Sequence, residues 1–322
     1  MHILVIGGAG YIGSHVVKAL LDDGMQVSIF DNMSTGQEIN LFDKAKFIKG
    51  DILDIRALEK VMSSGVDAVV HLAAKKSVIE SIKYPEIYST NNITGTLNIL
   101  NAMAKFGVKN FVFSSSAAVY GMPEYMPLDE LHPTNPINYY GYTKLAIEQF
   151  LPWYESLKGI KFVALRYFNA VGYDATLAVK GLEKNPQNLL PIVMEVATGA
   201  RKSMSIFGND YDTVDGTCVR DYIHVTDLAS AHLKSLKYLA QGRDSQILNL
   251  GVGRGISVLE MVQACEKVIG KKLNYDFAPR RAGDPGFLIA SSERAESLFG
   301  WKAMHSDLEN IIRTTWNVYQ AQ

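Results

Sequence analysis

The sequence predicts a doubly wound, mostly parallel α/β sheet joined to a second, smaller α/β domain. Three observations predict it. Short apolar runs of strand length alternate with helical patterns over the first half of the chain, which is the signature of βαβ units. A glycine-rich turn joins the first strand to the first helix. After about residue 170 the alternation gives way to Gly, Pro, Asn and Asp clusters, and helical patterns return only later. The 322 residues suffice for two domains. The break places residues 1–170 with about 221–250 in one body, and about 171–220 with 251–322 in the other.

Residues 3–7 form an apolar, β-branched run ending in Gly, the pattern of a strand buried on both faces. Ile12, Val16, Ala19 and Leu20 follow at helical spacing, and Gly24 ends that helix. Gln26–Asp31, Val66–Leu72 and Asn110–Ser115 repeat the strand pattern. A helix is expected from near Pro85, a favoured first-turn residue, to about Phe106. Residues 139–157 predict another, with Pro152 expected to bend it, and Ile160–Tyr167 the next strand. Helices are then expected at Thr226–Ala240, 257–269 and 306–320. The last two open with Ser-x-x-Glu capping boxes, Ser257/Glu260 and Ser306/Glu309.

Composition excludes several classes of function. Lys and Arg total 32 against 33 Asp and Glu, for a net charge of −1, so no basic field invites nucleic acid or an anionic membrane surface. The two cysteines, Cys218 and Cys265, stand far apart in no metal or redox spacing, and the seven histidines are scattered. No metal site and a reducing compartment are expected. No apolar run approaches the roughly 20 residues that span a bilayer. The chain opens directly on a strand without the basic region of a signal peptide, so a soluble cytoplasmic protein is expected.

Gly7, Gly10 and Gly13 punctuate the turn Gly7-Gly8-Ala9-Gly10-Tyr11-Ile12-Gly13. Such a turn lets backbone approach a pyrophosphate, and the helix behind it offers free N–H groups to the anion. Glycines alone would equally suit a tight strand–helix crossing. Asp31 closes the second strand 18 residues after Gly13. A carboxylate there accepts from ribose hydroxyls and repels a 2′-phosphate, and no Arg or Lys lies between Asp31 and Asp43 to welcome one. The expected cofactor is therefore NAD. Asp51 and Ile52 are placed to bracket the adenine, although Asp is also a common loop residue.

Tyr140 and Lys144 are four residues apart at a helix start and share a face. A lysine ammonium, with a positive nicotinamide ring, would stabilise the Tyr140 phenolate and make it a general base. An ordinary amphipathic pair has the same spacing. Tyr139 and Tyr142 are rivals, but neither has a lysine four residues on. Ser114, Ser115 and Ser116 end a buried strand, where ligands bind in open α/β sheets. A hydroxyl there could bond the reacting oxygen, although serine at a strand end is commonly a turn residue.

These residues resemble the extended short-chain dehydrogenase/reductase family, whose core is a Rossmann sheet, and within it the sugar-nucleotide epimerases. The similarity runs nearly end to end. It includes Asp31-Asn32, Ser114 through Gly121, Arg166-Tyr167-Phe168-Asn169, Ile206 through Tyr211, Val219 through Val225 and Ala278-Pro279-Arg280-Arg281. The resemblance implies an isomerase that inverts C4 of a UDP-hexose, UDP-galactose to UDP-glucose, through a transient 4-keto sugar with NAD regenerated. It implies that Tyr140 is the acid/base, that Lys144 holds the nicotinamide ribose and tunes Tyr140, and that Ser116 contacts the sugar 4-oxygen. Gly7, Gly10, Tyr11, Ile12, Gly13, Asp31, Asn32, Asp51, Ile52, Lys76, Asn92, Ser114 and Phe168 would line NAD, with Tyr140 and Lys144. Asn169, Asn188, Phe207, Arg220, Arg281 and Asp284 would hold the sugar nucleotide, with Arg suited to a diphosphate and an aromatic face to uracil. A surface ion pair is the other reading of Arg220 and Arg281. A homodimer through helices 85–106 and 139–157 is implied as well.

Two departures stand out. Ala118 replaces the threonine common in the family's serine motif, so one hydroxyl near the site is missing. Leu288 occupies the position that bounds the pocket around the sugar C2 substituent in similar proteins. It would equally fit a plain core leucine in a strand over about 287–291. Two other functions have been weighed. A nucleotide-sugar 4,6-dehydratase needs acids beside the strand-end hydroxyl, where this chain has Ala117 and Ala118. A non-catalytic NAD-binding sensor would have no need of both Tyr140 and Lys144.

Overall fold

A computed structural model of the chain describes residues 1–281 and 283–322. The chain opens on β1 (His2–Ile6), α1 (Tyr11–Asp22), β2 (Gln26–Asp31), β3 (Lys46–Lys49), α2 (Ile55–Met62) and β4 (Ala68–His71). It continues with α3 (Val78–Lys83), α4 (Pro85–Tyr88), α5 (Gly95–Phe106), β5 (Asn110–Ser116), α6 (Tyr139–Lys158), β6 (Lys161–Tyr167) and β7 (Asn169–Val171). Then come α7 (Leu189–Thr198), β8 (Met204–Phe207), β9 (Val219–His224), α8 (Val225–Ala240), β10 (Gln246–Leu250), β11 (Gly255–Ser257) and α9 (Val258–Ile269). The chain closes on β12 (Tyr275–Ala278), β13 (Phe287–Leu288), α10 (Glu293–Phe299) and α11 (Leu308–Gln320).

Seven parallel strands form one sheet in the order β10-β6-β5-β4-β1-β2-β3. Each is short; β1 and β4 are buried throughout and β5 and β6 in all but their end residues, as a sheet covered on both faces requires, while the edge strand β3 is mostly exposed. Two apolar clusters back it. One gathers Val16, Val17 and Leu20 of α1 with Leu228, Leu236 and Leu239 of α8; the other gathers Leu58, Ile99, Met103, Ile147 and Leu151 of α2, α5 and α6. The strand order reverses between β1 and β4, so the C-terminal strand ends open a crevice there.

The second body carries two small sheets. One runs β11-β9-β13 with β7 also on β9, and the other pairs β12 with β8. Its apolar cluster gathers α7, α9 and α11. Strand β9 and helix α8 are consecutive, so one segment passes from the small sheet directly onto the large one.

The helix expected from Pro85 to Phe106 forms, with Pro85 in its first turn and a wide π turn over Ser89–Thr94 inside it, and a separate short helix, α3, capped by Ser77, precedes it and ends at Tyr84, where φ is −134°. Two expectations require correction. The last helix is not opened by a Ser306/Glu309 box. Asp307 caps it by accepting from Asn310 N–H, because the Ser306 hydroxyl is already committed to Asp227 at 2.6 Å. The strand expected over 287–291 is only two residues long. The Ser257/Glu260 capping box forms as expected.

Candidate active site

The glycine turn explains itself residue by residue. Gly7 has φ +84°, and a Cβ there would lie 2.6 Å from Ala73 N. A Cβ on Gly13 would lie 2.1 Å from Gly7 O, so this helix can approach the strand only without a side chain. Gly10 differs: its nearest neighbour would be 3.4 Å away, leaving the space above it open. Gly10 is also the N-cap of α1 and offers no side-chain acceptor, so the first turn presents N–H groups without a cap. Uncapped donors beneath an open space suit an anion such as a pyrophosphate. Tyr11 turns its hydroxyl to Gly172 O, and Ile12 packs against the core.

Asp31 ends β2 beside this turn and is buried. It accepts from Ala9 N–H at 3.0 Å and from Met33 N–H at 2.9 Å, which fixes the carboxylate at the strand end with lone pairs to spare for a ribose. Asn32 donates to Asp51 at 2.9 Å, closing the crevice wall after β2 and β3. Ile52 is 5% exposed and lies over Gly95. Lys76 reaches Glu183 at 2.7 Å. Asn92 is buried. It accepts from Lys75 N–H and donates to Lys75 O and Thr143 Oγ1, so it pins the loop after β4 to α6. The donor set thus fits NAD at the turn and at Asp31, while the side chains of Lys76 and Asn92 are already engaged.

Helix α6 places the tyrosine and lysine. Asn138 caps it by accepting from Gly141 N–H at 2.8 Å, and Tyr140 N–H donates to Ser81 Oγ at 3.1 Å. The rival tyrosines go elsewhere. Tyr139 shares a hydrogen bond with Ser89 at 2.6 Å, and Tyr142 is 49% exposed. Lys144 is buried, donates to Ser114 O at 2.7 Å, and lies 5.9 Å from the centre of the Tyr140 ring. Burial drives its pKa down to about 7, opposed by the charge of Glu148. Burial also raises the Tyr140 pKa, opposed by a hydrogen bond with the Ser116 hydroxyl. The contact with Ser116 eases the ionisation of Tyr140 besides the help expected from Lys144. Ser116 also accepts from Ala118 N–H at 3.2 Å, folding residues 117–119 into a 3-10 turn. Ser114 turns its hydroxyl to His232 at 3.4 Å.

Phe168 and Leu288 pack together with Leu145 against Ala117, Val119, Tyr120 and Leu128, beside that turn. Leu288 lies opposite Arg220 in the β13–β9 register. Asn169 donates to Asp221 O at 3.0 Å, and Asn188 stands exposed at the start of α7 without capping it. Arg220 is buried and paired with Asp284. The Arg281 guanidinium lies 3.9 Å from the centre of the Phe207 ring, covering the face that uracil was expected to use. Asn169, Arg220, Asp284 and Leu288 thus gather around β9, with Arg220 engaged by an acid and Arg281 by an aromatic ring, while Asn188 makes none of these contacts.

Sequence reasoning assigned no role to a buried polar chain behind the serines. Ser115 donates to Glu148 at 2.6 Å, Arg166 holds Glu148 through Nε and Nη2, and Tyr120 and Asn249 extend the chain. The signal was present: Glu148 lies four residues beyond Lys144 on the same helical face.

Residues 3–251 match the model of the NAD dependent epimerase/dehydratase family. A UDP-glucose 4-epimerase of Lacticaseibacillus casei is 46% identical over 322 residues, covering 99% of this chain and 97% of its own. A structure of UDP-glucose 4-epimerase from Brucella ovis in complex with NAD superposes with a TM-score of 0.96 at 41% identity, covering 99% of this chain and 98% of its own. One from Bifidobacterium longum in complex with NAD+ and UDP superposes with a TM-score of 0.92 at 37% identity, covering 100% and 99%.

Proposed function

This chain belongs to the NAD dependent epimerase/dehydratase family, and from that premise we propose that it inverts C4 of a UDP-hexose, converting UDP-galactose to UDP-glucose. The observation that carries the reading is the placing of Tyr140 and Lys144 on one face of α6, with the Lys144 ammonium 5.9 Å from the centre of the Tyr140 ring and bonded to Ser114 O at the end of the strand that carries Ser116. NAD, when bound, supplies hydride acceptance and return at C4. Tyr140 receives the proton of the 4-hydroxyl and returns it to the 4-oxygen once C4 is inverted. Ser116 holds the oxygen while it is a ketone. Lys144, charged, favours the Tyr140 phenolate and offers a donor to a ribose. Because hydride leaves and returns, no external reductant is consumed.

Cofactor contacts are proposed at Gly7, Gly10, Tyr11, Ile12, Gly13, Asp31, Asn32, Asp51, Ile52, Lys76, Asn92, Ser114 and Phe168. Sugar-nucleotide contacts are proposed at Asn169, Asn188, Phe207, Arg220, Arg281, Asp284 and Leu288. Arg220 then leaves Asp284 and Arg281 leaves the Phe207 ring for the diphosphate, which frees that ring face for the base. The proposed division assigns residues 1–170 with about 221–250 to NAD, and about 171–220 with 251–322 to the UDP-sugar. A homodimer is proposed through α5 and α6, because Trp153 and Leu157 stand 66% and 70% exposed on adjacent turns of α6.

Proton NMR of UDP-galactose with the purified protein and no added reductant is the direct test. Interconversion to the two-sugar equilibrium is expected, with nicotinamide cofactor released on denaturation. No conversion by cofactor-loaded protein overturns the epimerase reading.

A further inference from the structure

Glu148 lies in the sheet–helix interior, outside the residues assigned to NAD or sugar, yet it joins the two elements that carry the chemistry. It sits on α6 eight residues after Tyr140 and four after Lys144, which places all three along one face. Its carboxylate, 3% exposed as a residue, accepts from Ser115 Oγ at 2.6 Å, from Arg166 Nε at 2.9 Å and from Arg166 Nη2 at 2.6 Å. Arg166 in turn donates to Tyr120 OH at 3.1 Å, and Tyr120 donates to Asn249 at 2.6 Å. Building on the epimerase reading, we propose that Glu148 is a positioning residue for the reaction, acting through Lys144 and through the strand end that carries Ser116.

Two couplings follow from the geometry. The first is mechanical. Ser115 lies between Ser114, whose carbonyl receives Lys144, and Ser116, whose hydroxyl meets Tyr140. Holding the Ser115 side chain to α6 fixes the peptides on both sides of it. The same carboxylate therefore sets the distance from the tyrosine's helix to the serine's strand. The second coupling is electrostatic. Lys144 is faced by Tyr140 and Glu148 from its own helix, His71 from β4, and the Phe113 ring and Ser114 carbonyl from β5, while from β6 Arg166 reaches Glu148 and Tyr167 faces Ser114 and Tyr140. Burial and the nearby Lys144 keep His71 neutral, and burial keeps Tyr167 a phenol. Among these groups the Glu148 carboxylate is the one that favours an ammonium on Lys144. Stability alone is a weak reason for a buried ion pair, since apolar residues of similar volume commonly serve as well. The position of this pair between Lys144 and Ser115 gives it another use.

The test measures pH profiles of kcat and KM with UDP-galactose for wild type, Glu148→Gln and Ser115→Ala. Glu148→Gln keeps an acceptor for Ser115 but removes the charge. Its kcat should fall at least about tenfold near neutral pH with KM changed less than about threefold, a loss felt in the transition state rather than in binding. Lys144 should lose its proton at lower pH, and Tyr140, deprived of the cation, should lose its own at higher pH. The two limbs of the kcat profile should therefore approach each other by about half a pH unit or more. Ser115→Ala keeps the charge and should lower kcat with both limbs in place. Glu148→Gln leaves Arg166 unpaired, so Glu148→Gln/Arg166→Met is measured beside it and should show the same narrowed profile. An active wild type whose Glu148 variants keep both limbs in place, or lose kcat only in step with rising KM, overturns the positioning role alone. Full kcat in Ser115→Ala overturns it even where both Glu148 variants fail to fold. A wild type without turnover overturns the epimerase reading and this role together.

Discussion

Tyr140 is asked to release a proton from surroundings that discourage a phenolate: burial raises its pKa, and Ser116 alone opposes that in the protein by itself. The site must gain positive charge before the phenol becomes a competent base, and Lys144 is the residue placed to supply it. Tyr140→Phe keeps the ring and deletes the ionisable hydroxyl. It should lower kcat by about 10²–10⁴-fold, with the melting temperature and bound nicotinamide unchanged. Near-normal turnover in this variant would place the base elsewhere. Asp31 makes a parallel case for the cofactor, since its carboxylate is fixed by two backbone donors. Asp31→Ala should reduce the NAD that co-purifies and admit NADP in reconstitution, and an undiminished NAD content counts against the ribose contact. Leu288 packs with Phe168 beside the serine turn and is partly buried. If it bounds the C2 pocket, Leu288→Tyr should depress turnover of UDP-N-acetylgalactosamine selectively, by the roughly 1–3 kcal/mol typical of overpacking, and Leu288→Ser should raise it. Equal effects on UDP-galactose and its N-acetyl analogue would make Leu288 a plain packing residue.

Between elements, the decisive contact is the crossing of β1 and α1. Gly13 and Gly10 separate packing from binding there, because an added Cβ would clash with Gly7 O at 2.1 Å at the first and only touch it at 3.4 Å at the second. Gly13→Ala should therefore lower the melting temperature sharply, since the atom met is backbone and cannot swing away. Gly10→Ala should fold with near-normal stability yet retain less NAD, because its Cβ enters the space over the uncapped N–H groups. Melting curves and cofactor content of the two variants distinguish these outcomes, and equal destabilisation would remove the distinction. The same crossing was legible in the sequence because Gly7, Gly10, Gly13 and Asp31 follow a fixed backbone geometry. Strands β1, β2, β4, β5 and β6 were legible for a related reason: they are buried on both faces and read as unbroken apolar runs. Helix α7 was missed because its apolar run, Leu189 to Val196, is entered from a loop rich in Asn and Pro and contains Pro191 in its first turn. The helix at Ser306 was misplaced by one residue because the hydroxyl's tertiary partner, Asp227, lies 79 positions away. Glu148 carries an ordinary helix-surface residue type, and only the approach of β6 and β5 shows that it is buried. Local pattern finds elements and backbone-bound sites; it does not find partners brought together by the sheet.

At the scale of the molecule, α6 serves two faces. Its inner face carries Tyr140, Lys144 and Glu148 toward the sheet, and its outer face leaves Tyr142, Trp153 and Leu157 exposed. Trp153 and Leu157 are four residues apart, and Tyr142 lies three helical turns before Trp153, so the three form one stripe. Phe106 ends the neighbouring α5 at 38% exposure. An apolar stripe of this kind on a helix that also holds the proposed catalytic residues has a direct use in a homodimer, where a second copy of the stripe covers it by two-fold symmetry. The other body is tied to the same frame, since Tyr11 at the start of α1 donates to Gly172 O, and His15 accepts from Asp174 N–H at 3.0 Å. Pairing through α6 would thus brace the tyrosine's helix while leaving the substrate body free on the far side. Trp153→Asp/Leu157→Asp places two charges in the stripe without touching the inner face. Light scattering should give twice the 35.6 kDa chain mass for wild type and the single mass for the double variant. The monomer should keep its NAD but melt at lower temperature, because the stripe is then left in water. A double variant that remains dimeric would move the interface away from α6, and a monomeric wild type would remove the homodimer altogether.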